Sequence, residues 1–101
     1  IYRNMIKNYV FKVKNLINKK MEIVISEWNS SPYYLDLTHD TCYMNTFIVD
    51  AIINNINQVD AISYWTLIES RLGSGLFHGG FGLFTINNLK KSSYNTFLLL
   101  N

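Results

Sequence analysis

The sequence is poor in the residues that build disulfide frameworks, zinc clusters and membrane spans. It has 101 residues, of which one is cysteine, Cys42, and one is proline. A single cysteine excludes an internal disulfide framework and a cysteine-based zinc cluster. No apolar run approaches the ~18 residues of a membrane span, and no short apolar segment precedes a cleavage site. We therefore expect a cytoplasmic protein with no targeting segment and no membrane partner.

Charged residues are also scarce, at 16%, whereas apolar residues make up 49% and aromatic residues 15%. This composition is typical of a packed globular protein. The first twenty residues contain no acid and six basic residues, Arg3, Lys7, Lys12, Lys14, Lys19 and Lys20. Apolar residues recur between them at three- and four-residue steps, namely Ile6, Tyr9, Val10, Val13, Leu16 and Ile17. The segment therefore predicts an amphipathic helix with a solvated basic side, in preference to a nucleic-acid surface.

Helix and strand patterns alternate along the chain, which predicts an α/β fold with parallel strands. After the helix over residues 1–20 we expect a strand over 21–26, buried on both faces, because M-E-I-V-I-S is short and rich in β-branched residues. A loop follows, in which Asp36 or Thr38 can cap the next helix. That helix spans residues 41–57, with Met44, Phe47, Ile48, Ala51 and Ile52 as its buried stripe.

The second half of the chain predicts one more strand and one more helix. V-D-A-I-S-Y-W-T, over residues 59–66, has the composition of a strand. Five glycines follow within a short stretch, which predicts a loop and then a short hairpin over residues 83–86. Ser92 is the expected cap of a last helix over residues 93–100, in which Tyr94, Phe97 and Leu98 would pack inward.

Glu27 is the candidate reactive group because it follows the apolar run I-V-I-S, at the carboxyl end of the first strand. In α/β barrels the loops after the strands converge at that end, so reactive groups lie there. Trp28 and Asn29 add an indole and a carboxamide, which can stack on and hydrogen-bond a sugar. A glutamate at a strand end is also often only solvated or paired with a cation, so position alone leaves both interpretations open.

Four short strings carry a family resemblance across residues 21–101. They are I-S-E-W-N-S-S from Ile25, H-D-T from His39, S-Y-W-T from Ser63 and L-F-H-G-G-F-G-L from Leu76. In order and spacing they resemble the last quarter to third of the catalytic barrel of glycoside hydrolase family 39, the β-xylosidase family. The resemblance implies the C-terminal portion of a (β/α)8 barrel, about two β/α units with a leading and a closing helix. Residues 1–101 would then be part of a larger protein, since such barrels need ~250 residues.

The same resemblance implies the roles of individual residues in a retaining glycosidase. Glu27 matches the nucleophile, while the acid/base glutamate belongs to a strand outside this chain. Trp65 would be the aromatic platform under the sugar, with Tyr64 and Asn29 beside it. His78 is a candidate for sugar binding, although a hydrogen bond that fixes the glycine turn is the plainer interpretation. His39 is assigned to the start of a helix, and we expect no metal and no cofactor.

One departure from the enzyme pattern leaves the function open. The loop after S-Y-W-T is short and lacks the adjacent acidic residues of the xylosidases, with Glu69 as a partial substitute. The strings E-W-N-S-S-P and D-T-C-Y also resemble a family 39-like barrel found in some AraC-type transcription regulators. The first hypothesis is therefore a sugar-sensing or interaction domain of such a regulator, which would bind DNA only through a missing N-terminal domain. The alternative is part of an active β-xylosidase, and in either case we expect self-association or pairing with the missing part of the barrel.

Overall fold

The computed structural model describes residues 4–17, 21–70 and 74–101. The elements in these ranges are α1 (Met5–Leu16), β1 (Val24–Trp28), a 3-10 helix (Leu37–Asp40), α2 (Tyr43–Asn55), β2 (Ala61–Tyr64) and α3 (Ser92–Leu100). The predicted alternation of helices and strands is confirmed. The first helix ends at Leu16 and not at Lys20, because the backbone of Ile17 is extended. Lys19, Lys20 and the predicted loop residues 71–73 lie outside the described residues.

The two strands form a parallel sheet, and α2 is the crossover that connects them. Val24 pairs with Ala61, Ile25 with Ile62, and Trp28 with Tyr64. From Ile25 to Trp28 the first strand therefore advances by one residue more than the second, which is a β-bulge. The bulge contains Ser26 and Glu27, so it changes the direction of the side chains just where β1 ends.

The hydrophobic core lies between the sheet and α2. Its buried members are Trp28, Met44, Phe47, Ile48 and Ala51. The predicted stripe of α2 is thus confirmed, and its fifth member, Ile52, is partly buried against the same cluster. Helical spacing accounts for this result, because residues three and four apart lie on one face.

The prediction that β1 is buried on both faces is wrong. Ile25 packs against the core, but Val24 is 59% exposed on the other face, and Ser26 and Glu27 are exposed as well. In the described residues only one layer of helices covers the sheet. The apolar composition of β1 does not distinguish this arrangement, because a strand that is buried on both faces has the same pattern.

The apolar face of α1 is likewise only partly covered. Val10 is buried and Ile6 and Ile17 are partly buried, whereas Tyr9 and Leu16 are 61% and 86% exposed. The basic side chains lie in solvent, as expected for a solvated helix. The helix contacts α2 along one side, and the rest of its apolar face borders an open cavity.

Three predictions for the last segment need correction. Ser92 is the first residue of α3 and not its cap, since Lys91 precedes the helix in an extended conformation. Leu98 is 61% exposed, because Ser93, Thr96 and Phe97 occupy the inward positions at helical spacing. The hairpin is displaced towards the C-terminus: Phe84 bridges Lys90 across a tight turn, and it also bridges Ile68.

Within the described ranges, every helix is too short or too polar to cross a bilayer.

Candidate active site at the carboxyl ends of the strands

Glu27 and Trp65 lie where the two parallel strands end. Glu27 is the penultimate residue of β1 and is exposed, and Trp65 follows the last residue of β2 with 50% of its surface exposed. Both residues border an open cavity of about 860 Å³, whose remaining wall comes from α1, β1 and the loop after β1. The arrangement places a carboxylate and a flat indole on one concave surface, as sugar binding requires.

Asn29 connects the ends of the two strands. Its amide nitrogen donates a hydrogen bond to the carbonyl oxygen of Trp65 at 2.5 Å and lies 3.5 Å from the carbonyl oxygen of Phe81. Its side-chain oxygen accepts from the backbone N–H of Ser30 at 2.7 Å. Asn29 also lines the cavity. It therefore fixes the backbone of Trp65 and borders the space that a sugar would occupy.

The structure does not bring Tyr64 and His78 to this cavity. The ring of Tyr64 packs against the core, where its centroid is 5.4 Å from that of Trp28 and 5.3 Å from that of Phe97. Its hydroxyl is hydrogen-bonded to the side chain of Asn29. Burial there raises the pKa of the phenol to about 12. His78 is buried, with Nε2 3.3 Å from the Tyr34 hydroxyl. A role for either residue in sugar binding stays a prediction.

The loop after β1 is closed by hydrogen bonds around Asp36. Its carboxylate accepts from the hydroxyls of Ser31 and Thr38 and from the backbone N–H of Thr38, which caps the 3-10 helix. The cap was predicted for the longer helix that follows, but α2 is preceded by Cys42 and has no side-chain cap. The hydroxyls of Thr38 and Ser31 stabilise the charged form and so hold the pKa of Asp36 below its ordinary value. This loop is therefore fixed at the edge of the cavity.

The glycine turn, residues 79–80, is held by His39, and the hydrogen bond of the adjacent His78 to the hydroxyl of Tyr34 agrees with the plainer interpretation of that histidine. His39 is 2% exposed, and its Nδ1 lies 2.8 Å from the carbonyl oxygen of Gly79, with Ser31 on the other ring nitrogen. Gly79 has φ +80°, and a Cβ there would lie 2.6 Å from the carbonyl carbon of Asp36. The loop after β1 and the loop after β2 therefore pack directly against each other, and only glycine permits this approach.

A buried charged cluster beneath the glycine turn was not predicted. Lys91 is 1% exposed, and its ammonium contacts the carboxylates of Asp40 and Glu69. Glu69 is 2% exposed and lies beneath Gly80, so it does not border the cavity and does not replace the missing acidic pair there. The sequence did not indicate the burial of Lys91, because its partners are distant in the chain. Its neighbours, Lys90 and two serines, are typical of a surface segment. The crowding of glycines was the only signal of close packing.

No set of three or more histidine, cysteine, aspartate or glutamate side chains in the part of the chain that the structure describes could hold a metal ion.

Comparison with known proteins was made at the levels of family, sequence and structure. The family model described as Glycosyl hydrolases family 39 matches residues 2–101. A β-xylosidase of Caldicellulosiruptor saccharolyticus is 40% identical over 86 residues, which cover 80% of this chain and 18% of that protein. A β-xylosidase of Geobacillus stearothermophilus is 32% identical over 81 residues, covering 76% of this chain and 16% of that protein.

Solved structures give the same result. A monomeric β-xylosidase from Caulobacter crescentus superposes with a TM-score of 0.88 at 26% identity, covering 98% of this chain and 22% of that one. The GH39 enzyme from Xanthomonas axonopodis pv. citri superposes with a TM-score of 0.84 at 26% identity, covering 94% and 20%. The chain thus spans about a fifth of the length of the proteins it matches.

Proposed function

The chain belongs to glycosyl hydrolase family 39, and from this we propose that it forms the closing part of the (β/α)8 catalytic barrel of a retaining β-xylosidase. The observation that carries the proposal is the position of Glu27 and Trp65. They lie at the carboxyl ends of adjacent parallel strands and border one cavity. In α/β barrels this end of the strands holds the reactive groups.

Glu27 is the proposed nucleophile. The bulge in β1 places its side chain on the open face of the sheet, away from the core packed against α2. A carboxylate oxygen of Glu27 attacks the anomeric carbon and forms a glycosyl ester, while the leaving oxygen takes a proton from a second carboxyl group. Water, deprotonated by that second group, then attacks the same carbon and frees Glu27.

The second carboxyl group is proposed to lie in the rest of the barrel. In a retaining glycosidase the two carboxyl groups are ~5–5.5 Å apart, so the partner must face Glu27 across the cavity. Glu27 is exposed and borders the cavity, whose wall includes exposed apolar residues of α1. The chain spans about a fifth of the length of its relatives, so we propose that the remaining strands of the barrel supply that carboxyl group.

Trp65 is the proposed platform for the sugar. Its backbone N–H donates to the carbonyl oxygen of Trp28 at 3.0 Å, and its carbonyl oxygen accepts from Asn29. The backbone of Trp65 is thus held by the neighbouring strand and by Asn29, while half of the residue's surface is exposed. An exposed aromatic ring on a fixed backbone can stack on the apolar face of a pyranose.

A sugar-sensing domain is the second candidate, and the position of Glu69 favours it. The acid expected to contact sugar hydroxyls is buried with Lys91 and does not border the cavity. A site with the platform and the nucleophile position but fewer hydroxyl partners could bind a sugar without turning it over. A role in a transcription regulator rests on the resemblance in the sequence, and DNA binding would require another domain.

Covalent trapping in the full-length parent protein separates the two candidates. The protein is incubated with a 2-deoxy-2-fluoro-β-xyloside that carries a good leaving group, and the labelled peptide is identified by mass spectrometry. We expect the label on Glu27, and we expect Glu27→Gln to abolish labelling. Glu22→Gln is the matched control, because Glu22 is exposed and borders the same cavity before β1 begins.

Labelling that is unaffected by Glu27→Gln would refute the assignment of the nucleophile. Absence of labelling in folded protein that still binds xylose, as measured by calorimetry, would support the sensing domain instead.

A further inference from the structure

We infer that Lys91 is a positioning residue for the sugar-binding edge, because its buried ammonium holds the backbone that fixes Asn29 and Trp65. The inference rests on the proposed function. Lys91 lies just before α3 and borders no part of the cavity. Any effect of Lys91 on the cavity must therefore be transmitted through the backbone of the glycine turn.

The ammonium group of Lys91 binds the glycine turn directly. It donates to the carbonyl oxygen of Gly80 at 2.8 Å and contacts carboxylate oxygens of Asp40 and Glu69. Asp40 in turn accepts a hydrogen bond from the backbone N–H of Gly79 at 2.5 Å. The carbonyl oxygen of Gly80 is thus bound by the cation, and the N–H of Gly79 by one of that cation's counter-ions.

The close approach depends on the absence of a side chain at Gly80. A Cβ at this position would lie 2.5 Å from the carboxylate of Glu69. The turn therefore lies directly on the charged cluster, with no space for adjustment. A rigid contact of this kind transmits position accurately, since packed interiors resist deformation.

The next residue, Phe81, connects the turn to the residues at the cavity. Its carbonyl oxygen accepts from the backbone N–H of Thr66 at 3.3 Å and lies 3.5 Å from the amide nitrogen of Asn29. The same nitrogen of Asn29 donates to the carbonyl oxygen of Trp65. The N–H of Thr66 is therefore bound directly to Phe81, which follows the turn that Lys91 holds. The carbonyl oxygen of Trp65 is connected to the same residue through Asn29.

Among the described residues, two carboxylates face the ammonium of Lys91. Glu69 also lies 3.7 Å from Nε2 of His78, which contacts Tyr34, and Asp40 interacts with Tyr64. An apolar side chain could fill the same volume, but without the ammonium the two carboxylates would be buried and unpaired, which is strongly destabilising. An apolar side chain also could not bind the carbonyl oxygen of Gly80, so the lysine supplies both charge and direction.

The test compares Lys91→Met with Lys90→Met in the full-length parent protein. Lys90 is the matched control, because it is exposed and its ammonium lies over the ring of Tyr94, away from the turn. Hydrogen exchange followed by mass spectrometry measures how firmly the backbone N–H groups of Gly79 and Thr66 are held. Hydrolysis of an aryl β-xyloside measures the consequence for the site.

We expect Lys91→Met to speed exchange in both segments by about tenfold and to lower kcat/KM by about 10- to 100-fold, since small displacements of positioning groups are costly. Lys90→Met should change neither. Combining Lys91→Met with Asn29→Ala should lower kcat/KM by less than the product of the single effects, because both substitutions act through the same contact. A purely structural role would give independent effects.

If Lys91→Met does not fold, the charge-balanced pair Lys91→Met with Glu69→Gln replaces it, and the same expectations apply. Unchanged exchange in the turn would overturn the inference, and so would a loosened turn with unchanged kcat/KM. If the unaltered protein hydrolyses no xyloside, the proposed function fails. The exchange data, together with the affinity for xylose, then decide the inference by themselves.

Discussion

The buried phenol of Tyr64 makes the stability of the fold depend on pH. Its ring lies between Trp28 and Phe97, and burial raises the pKa of its phenol from 10.0 to about 12. Between these values the unfolded chain loses the phenolic proton while the folded chain keeps it. The contribution to stability is therefore complete below the unfolded pKa and is lost as the pH rises towards the folded pKa.

We predict that this loss amounts to about 1 kcal/mol between about pH 8 and about pH 11. Urea unfolding of the full-length parent protein measures this loss. The difference in free energy of unfolding between the unaltered protein and Tyr64→Phe should shrink by that amount over this pH range. Tyr33→Phe is the control, since Tyr33 is 69% exposed, and it should follow the unaltered protein at every pH. Equal pH dependence of the unaltered protein and Tyr64→Phe would contradict the account.

At this scale the sequence predicts apolar burial better than polar burial. The buried residues of α2 follow from helical spacing, as do the solvated lysines of α1. Lys91 and Glu69 were missed because each is stable in the interior only through a partner that is distant in the chain. His39 was assigned to the start of the long helix but lies in the 3-10 helix before it, and its contact with Gly79 depends on how two loops pack.

Among the elements, the glycine turn allows the clearest test. Gly75 and Gly79 both have positive φ, at +101° and +80°, yet only Gly79 has neighbours within reach of an added Cβ. Gly75→Ala should therefore cost about 1 kcal/mol from backbone conformation alone. Gly79→Ala must also displace the backbone of Asp36, whose side chain is fixed by Ser31 and Thr38.

We predict that Gly79→Ala lowers the free energy of unfolding of the parent protein by at least about 2 kcal/mol more than Gly75→Ala does. Urea unfolding of the two variants measures the difference. Equal costs would mean that the two loops do not pack as closely as the structure describes.

The boundaries of elements were predicted less well than their order. The first strand begins and ends later than its apolar run suggests, so that Glu27 and Trp28 lie within it. The bulge explains this result, because it lets β1 continue beside Tyr64 with one extra residue. Such an irregularity depends on pairing between strands, and no local pattern of residues encodes it.

At the scale of the whole molecule, the described residues leave several apolar side chains uncovered. Val24 on the open face of the sheet and Tyr9 and Leu16 on α1 are all more than half exposed. We expect this surface to pack against the rest of the barrel in the parent protein. The α/β architecture was predictable from the alternation of elements, whereas the uncovered face could not be located without the structure.

The chain alone should therefore self-associate, and sedimentation velocity at rising concentration measures this directly. Val24→Asp should weaken association by placing a charge on the open face. Ile53→Asp is the control, because Ile53 is 64% exposed on α2 and so outside the open face of the sheet. A monomer at all concentrations, or equal effects of the two substitutions, would contradict the prediction.

The most direct test of the central claim is hydrolysis of an aryl β-xyloside by the full-length parent protein and by its Glu27→Gln variant. If Glu27 is the nucleophile of a retaining β-xylosidase, the parent protein turns the substrate over and the variant loses about four or more orders of magnitude in kcat, in the range found when other catalytic nucleophiles are removed. Absence of turnover in the folded parent protein, or a variant that keeps most of the activity, would contradict the claim.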